Sequence, residues 1–268
     1  MQLQTITIYP LKSAQGQLTE SSLVEKRGLQ HDRRLGLFQE DGKVITARDF
    51  PVMLDIVSEI SPDGLTFSAP GREPLVVNSS SWTTELSELN IWDDHAIGQQ
   101  AGSDCHAWFS ELLGSDCKLM GLGGDANRKL PAEVGGQPGD QVSFADECPL
   151  LLTSTASLED LNSKLDESVP MSRFRPNVVI SGCDPFAEDG WKNIQIGEVL
   201  FEVTQSCKRC VFTTIDQHTK QRHPSQEPLR TLSTYRRHPN GGAAFGVHLV
   251  GRSAGRINIG DTVTLVKK

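Results

Sequence analysis

The sequence predicts a mainly β fold with some α (α+β), built as two barrel-like domains, and three observations carry that expectation. Short alternating or apolar runs recur along all 268 residues, from "TITIY" at 5–9 to "TVTLV" at 262–266. Strict alternation suits a strand with one buried side. Turn residues punctuate these runs, as at Asp41-Gly42 and "APGREP" (69–74), because Gly, Pro and Asp supply backbone angles that a strand cannot. Helical periodicity, by contrast, is confined to two stretches.

The elements follow in order. "LGLFQEDGKVITAR" (35–48) reads as a hairpin closed at Asp41-Gly42, and "DGLTFSAPGREPLVVN" (63–78) repeats the pattern. A helix is expected over 103–113, with Ser103 as its cap, Trp108 and Leu112 one turn apart, and Gly114 at its end. The stretch 121–143 is rich in Gly and Pro and has no period. It reads as a surface connection or a long loop over a site, dividing the chain into domains 1–120 and 121–268. "CPLLLTS" (148–154) then reads as a buried strand. In "SLEDLNSKL" (157–165), Ser157 and Asp160 form a capping pair, and Leu158, Leu161 and Leu165 share a helix face. "NVVIS", "EVLFEVTQ", "CVFTTID", "FGVHLV" and "TVTLV" complete the set as strands.

Net charge is −8, which argues against a nucleic-acid partner while leaving room for a local cationic pocket. The start "MQLQTITIYPLKS" lacks the basic and apolar regions of a signal peptide. No apolar run approaches the roughly 18 residues of a membrane span. The six cysteines (105, 117, 148, 183, 207, 210) are too sparse for a secreted disulfide framework. A cytoplasmic protein with reduced thiols is expected.

Cys207 and Cys210 admit several readings. With His218 and His223 they give C-x2-C-x7-H-x4-H, a zinc-like pattern whose central spacer is short for a tetrahedral site. A redox pair would want a helix N-terminus, whereas "VFTTI" follows, with four β-branched residues in five. Most cysteines simply pack like small hydrophobes, and Cys105, Cys117, Cys148 and Cys183 are read so. Lys208 and Arg209 between the pair favour thiolates, which are both nucleophiles and soft metal ligands.

Spaced blocks along the chain resemble a known family. "FRPNVVISG" (174–182), "W…IGEV" (191–199), "CKRCVFTTID" (207–216), "EPLRTL" (227–232) and "INIGDTVTL" (257–265) are similar, in order, to a MOSC domain. "YPLKSAQG" (9–16), "GLQHDRRLGLF" (28–38) and "ITARDFP" (45–51) resemble the N-terminal β-barrel domain that precedes it in YcbX-like proteins and mitochondrial amidoxime-reducing components. The resemblance implies a molybdenum cofactor held between the domains, with Cys210 as catalytic residue and metal ligand and Cys207 as a neighbour. It implies reduction of N-hydroxylated compounds (amidoximes, N-hydroxylaminopurines) by oxygen-atom transfer to molybdenum, a detoxifying chemistry. It further implies cofactor contacts at Lys12, Ser13, Arg33, Glu147, Cys148, Arg175, Asn177, Lys208, Arg209 and His248, the last standing where some members have tyrosine.

Apart from the family, Lys12, Arg33, Arg175, Lys208 and Arg209 lie in or beside strand patterns, which suggests a shared anion such as a phosphate. Some relatives continue into a ferredoxin-type domain. This chain has no C-x4-C-x2-C run, so a separate electron-donor protein, ferredoxin- or flavoprotein-type, is expected. No membrane partner is expected. The alternative function is a molybdenum-cofactor or sulfur carrier without reductase turnover.

Overall fold

The computed structural model describes residues 1–122 and 128–266. Its largest sheet has eight strands in the order Val263–Leu265, Asn193–Ile196, Val199–Arg209, Ala243–Gly251, Leu150–Ser154, Val178–Ser181, Gln2–Ile8 and Gln17–Thr19. Neighbours are antiparallel except Leu150–Ser154 and Val178–Ser181, whose parallel pairing spans the helix Thr155–Asn162. A parallel pair needs such a crossover, because a tight turn can only reverse the chain. The first strand therefore lies in the sheet of the C-terminal half, packing Leu3 and Ile6 against Val178, Ile180, Phe201 and Leu249.

A four-stranded antiparallel sheet (Leu35–Phe38, Lys118–Gly121, Asp94–Ala101, Trp82–Ile91) and a three-stranded one (Val57–Ser61, Gly64–Ser68, Leu75–Val77) build the other body. The helix Ser103–Leu113 covers a second core of Leu37, Phe67, Phe109 and Leu119. A small sheet (Gly255–Asn258, Ser21–Glu25, Gly28–Leu29) completes the mainly β architecture.

Local chemistry moved several expected features. Gly102, not Ser103, is the N-cap of the first helix, and Gly114 ends it at φ 65° as expected. The second helix is capped by Ser154, whose Oγ accepts from the Ser157 amide at 3.1 Å, so the helix begins earlier than the Ser157–Asp160 pair suggests. The Asp41-Gly42 turn forms, with Gly42 at φ 80°, but its second arm makes isolated bridges, Val44 to Phe38 and Lys43 to Asn90, rather than a strand. Leu35–Phe38 pairs fully with Lys118–Gly121 instead. Part of the expected 121–143 surface loop is core: Arg128, Leu130 and Val142 are buried, while 123–127 fall outside the described residues.

The correction that matters most is at "CVFTTID". Residues Val211–Thr214 form a 3-10 turn rather than a strand. Thr213 Oγ1 donates to the Cys210 carbonyl at 3.0 Å and Thr214 Oγ1 to the Val211 carbonyl at 2.7 Å. Threonine hydroxyls thus compete with a ladder for the backbone. The long strand stops at Arg209, and Cys210 becomes the exposed N-cap of the turn.

Candidate active site

A cleft of about 530 Å3 opens where the segment after the first strand, the 144–148 turn, the 174–177 corner and the end of the Val199–Arg209 strand converge. Four of the eight non-glycine residues with positive φ among the described residues line it: Ser13, Arg33, Trp92 and Arg175. Each such conformation costs about 1–3 kcal/mol and persists only where surrounding structure enforces it. Strain concentrates at this cleft.

Its cations are held in two ways. Lys12 is buried, donates to the Phe144 carbonyl at 2.7 Å and pairs with Asp146. Burial pulls its ammonium down to about 8 despite that partner. Asp146 also accepts from Arg48 Nη2 at 2.8 Å and Trp92 Nε1 at 3.1 Å. Burial raises the Asp146 carboxyl, yet Lys12 and Arg48 outweigh it and hold it well below the usual range. Arg33 is neutralised by the buried Asp32 at 2.6 Å and donates to Asn177 Oδ1 at 3.1 Å. Asn177 is itself committed to the Leu151 amide and the Thr7 carbonyl.

Arg175 is different. Its guanidinium lies over the Tyr9 ring at 4.2 Å and donates from Nη1 to the Ala14 carbonyl at 2.7 Å. Its Nη2 is buried without a hydrogen-bond partner, and among the described residues it makes no ion pair. Burial draws its pKa down to about 10. Arg209 donates to the Phe174 carbonyl at 2.7 Å and leaves Nε unpaired. Lys208 is exposed at the cleft wall, its Nζ on the Asn240 carbonyl at 3.2 Å. An unmatched buried donor costs about 1–3 kcal/mol, and each of these two guanidiniums carries one at the cleft.

The two cysteines separate cleanly. Cys207 is buried, and Arg209 Nη1 sits 2.8 Å from its Sγ. Burial pushes this thiol up, but Arg209 and then His248 bring it down to about 7. The His248 imidazole is lowered by burial and raised more strongly by Cys207 and Cys148; its Nδ1 lies 3.6 Å from Glu147 Oε2. Cys210, in contrast, is exposed, with Arg48 Nη2 at 3.3 Å from Sγ. In a cofactor-free Cys210→Ser background, the ultraviolet thiolate absorbance of Cys207 should titrate near the value of about 7 set by these neighbours. Removing the imidazolium with His248→Phe should shift that midpoint to higher pH, and an unmoved midpoint would rule out the pair.

Every expected site residue lines this one cleft: Lys12, Ser13, Arg33, Glu147, Cys148, Arg175, Asn177, Lys208, Arg209, Cys210 and His248. Sequence reasoning passed over Arg48, Asp146 and Trp92, which link Lys12 to Cys210. Arg48 sits inside a quoted block and Asp146 is the neighbour of Glu147, but neither has a local partner to single it out. His218 and His223 do not join the cysteines: among the described residues no group of three or more His, Cys, Asp or Glu could hold a metal.

Residues 139–264 match the MOSC domain and residues 1–116 the MOSC N-terminal beta barrel domain. The chain is 32% identical to mitochondrial amidoxime-reducing component 1 of Homo sapiens, over 97% of this chain and 81% of that protein. It belongs to the MOSC-domain family of the amidoxime-reducing components. This MOSC protein is also 32% identical to human mitochondrial amidoxime reducing component 2, across 96% of its own length and 81% of the relative's. A molybdenum cofactor sulfurase of Oryza sativa subsp. japonica is 33% identical over 92% of this MOSC chain, which covers 32% of the sulfurase. No helix among the described residues is long and apolar enough to cross a membrane.

Proposed function

We propose that this MOSC protein is a molybdenum-cofactor-dependent oxidoreductase that reduces N-hydroxylated compounds, amidoximes and N-hydroxylaminopurines among them, with electrons from a separate ferredoxin- or flavoprotein-type donor. The observation that carries this reading is an exposed thiol, Cys210, at a cleft whose Arg175 Nη2 and Arg209 Nε have no protein acceptor. The donor set fits such a group. A cofactor with a phosphate tail would give the orphaned guanidinium donors their acceptor, and molybdenum would take a soft thiolate. The cleft volume of about 530 Å3 is in the range of small-molecule sites.

Cys210 would be the protein's metal ligand, with Arg48 Nη2 at 3.3 Å orienting its sulfur. Arg175, Arg209 and Lys208 would bind the anionic portion. Asn177 holds Arg33 beside Arg175, and Lys12 fixes Asp146 and hence Arg48. His248, next to Glu147, would hold a proton at the cleft wall through its imidazole, where proton-consuming reduction needs one. When bound, the cofactor supplies the two-electron chemistry that takes up the N-bound oxygen. In this reading residues 1–120 and 121–268 form the two domains flanking the cleft. The six free thiols suit a reducing, cytoplasmic setting.

The test is metal and pterin content of protein made in a cofactor-competent host, followed by incubation of the reduced protein with benzamidoxime. Bound molybdenum with conversion to benzamidine is the expected result. The likeness to a cofactor sulfurase favours a second reading, a cofactor or sulfur carrier, which predicts bound molybdenum and untouched benzamidoxime. Zinc in place of molybdenum would overturn both.

A further inference from the structure

Trp92 stands where a hairpin has little reason to place it. Ile91 pairs with Asp94, so Trp92 and Asp93 form a two-residue loop between the strands Trp82–Ile91 and Asp94–Ala101. Trp92 takes φ 58°, and Asp93 is not among the residues with positive φ. A positive first position is the one that glycine fills best in such loops. A bulky aromatic there is strained, and its exposure of 49% means that little burial offsets the cost. Isolated exposed aromatics are ordinary, but this one is fixed at two points. Nε1 donates to Asp146 at 3.1 Å, and the Arg48 guanidinium sits 4.4 Å from the ring centre. That same guanidinium reaches Cys210 Sγ at 3.3 Å.

We propose that the Trp92 indole is a stacking platform for the flat ring of an aromatic N-hydroxylated substrate, making it a specificity-determining residue one guanidinium away from Cys210. The inference rests on the reductase reading and deepens it by naming the substrate class. Arg48 covers one ring face and orients the indole, while the exposed remainder contributes to a cleft that Phe174 and Phe212 also line. A ring locked at both ends loses little entropy on binding, and aromatic stacking tolerates any planar partner. An aliphatic N-hydroxylated compound has no ring to present and would gain none of this.

The experiment compares cofactor-loaded parent, Trp92→Gly and Trp92→Phe with benzamidoxime and with acetamidoxime. Glycine relieves the strained φ, so the melting temperature should hold or rise, which separates a lost ring from a lost fold. The expected result is a KM for benzamidoxime raised about tenfold with kcat changed far less, and a selectivity for benzamidoxime over acetamidoxime reduced by a similar factor. Phenylalanine, which restores a ring but not the bond to Asp146, should recover most of that selectivity. Unchanged selectivity in the glycine variant, or no recovery with phenylalanine, overturns the platform.

Equilibrium dialysis of benzamidine against acetamidine decides the same question without turnover. Should the parent reduce neither amidoxime, the reductase reading fails on its own. Weaker benzamidine binding by the glycine variant then still supports the platform. No benzamidine binding by the parent, or equal binding by parent and variant, overturns it.

Discussion

Cys210→Ala is expected to leave a folded protein that no longer reduces benzamidoxime and that loses molybdenum on dialysis. The expected drop exceeds about 100-fold, because even residues that merely orient a metal ligand cost 10–100-fold when removed. The fold should hardly notice. Cys210 is exposed at the start of a 3-10 turn and packs against no core, so stability should move by no more than about 0.5 kcal/mol. Cys207→Ala should do the opposite. Its sulfur is buried and accepts from Arg209; losing that partner should lower the melting temperature by the equivalent of about 1–3 kcal/mol while turnover persists. Thermal melts and initial rates on the two variants give the comparison. The reverse pattern would place the ligand at the first cysteine of the motif and invalidate the register used here.

Arg175→Gln is expected to deplete cofactor at least about tenfold under limiting supply, since it removes a charge-assisted donor worth roughly 1.5–3 kcal/mol to an anion. The apo protein should respond with the other sign. Arg175 carries a half-buried positive charge with a buried, unpaired Nη2, and a desolvated charge without a partner destabilises a fold. Glutamine keeps a donor for the Ala14 carbonyl without the charge, so the apo melting temperature should hold or rise. Pterin content and apo melts together check this. Cofactor content equal to the parent, or an apo protein that falls apart, would show Arg175 to be a structural residue.

How much of this was legible in the sequence depends on the range of the interaction. "EVLFEVTQ" was readable because burial alternates at its start, with Val199 and Phe201 buried, and "NVVIS" because it is a short continuous apolar run buried at Val178, Val179 and Ile180. The turn at Val211–Thr214 was not: three β-branched residues look like a strand until the hydroxyls of Thr213 and Thr214 are seen bonding backward to carbonyls. Lys12, Arg175 and Cys210 were legible through the blocks around them. Arg48 was hidden because its partners lie 98 and 162 residues away, at Asp146 and Cys210. The pairing of the first strand with Val178–Ser181 is likewise a long-range event that no local pattern announces. Trp92 did leave a trace, an aromatic at a turn between two alternating runs, where Gly, Asn or Asp is ordinary.

In the proposed enzyme the sulfur of Cys210 completes the coordination of molybdenum. X-ray absorption at the molybdenum edge, recorded on loaded parent and on Cys210→Ser, tests it most directly. One sulfur donor fewer is expected in the serine variant, with the cofactor's own sulfurs retained. Identical sulfur coordination in the two proteins, or no molybdenum in the parent, would contradict it.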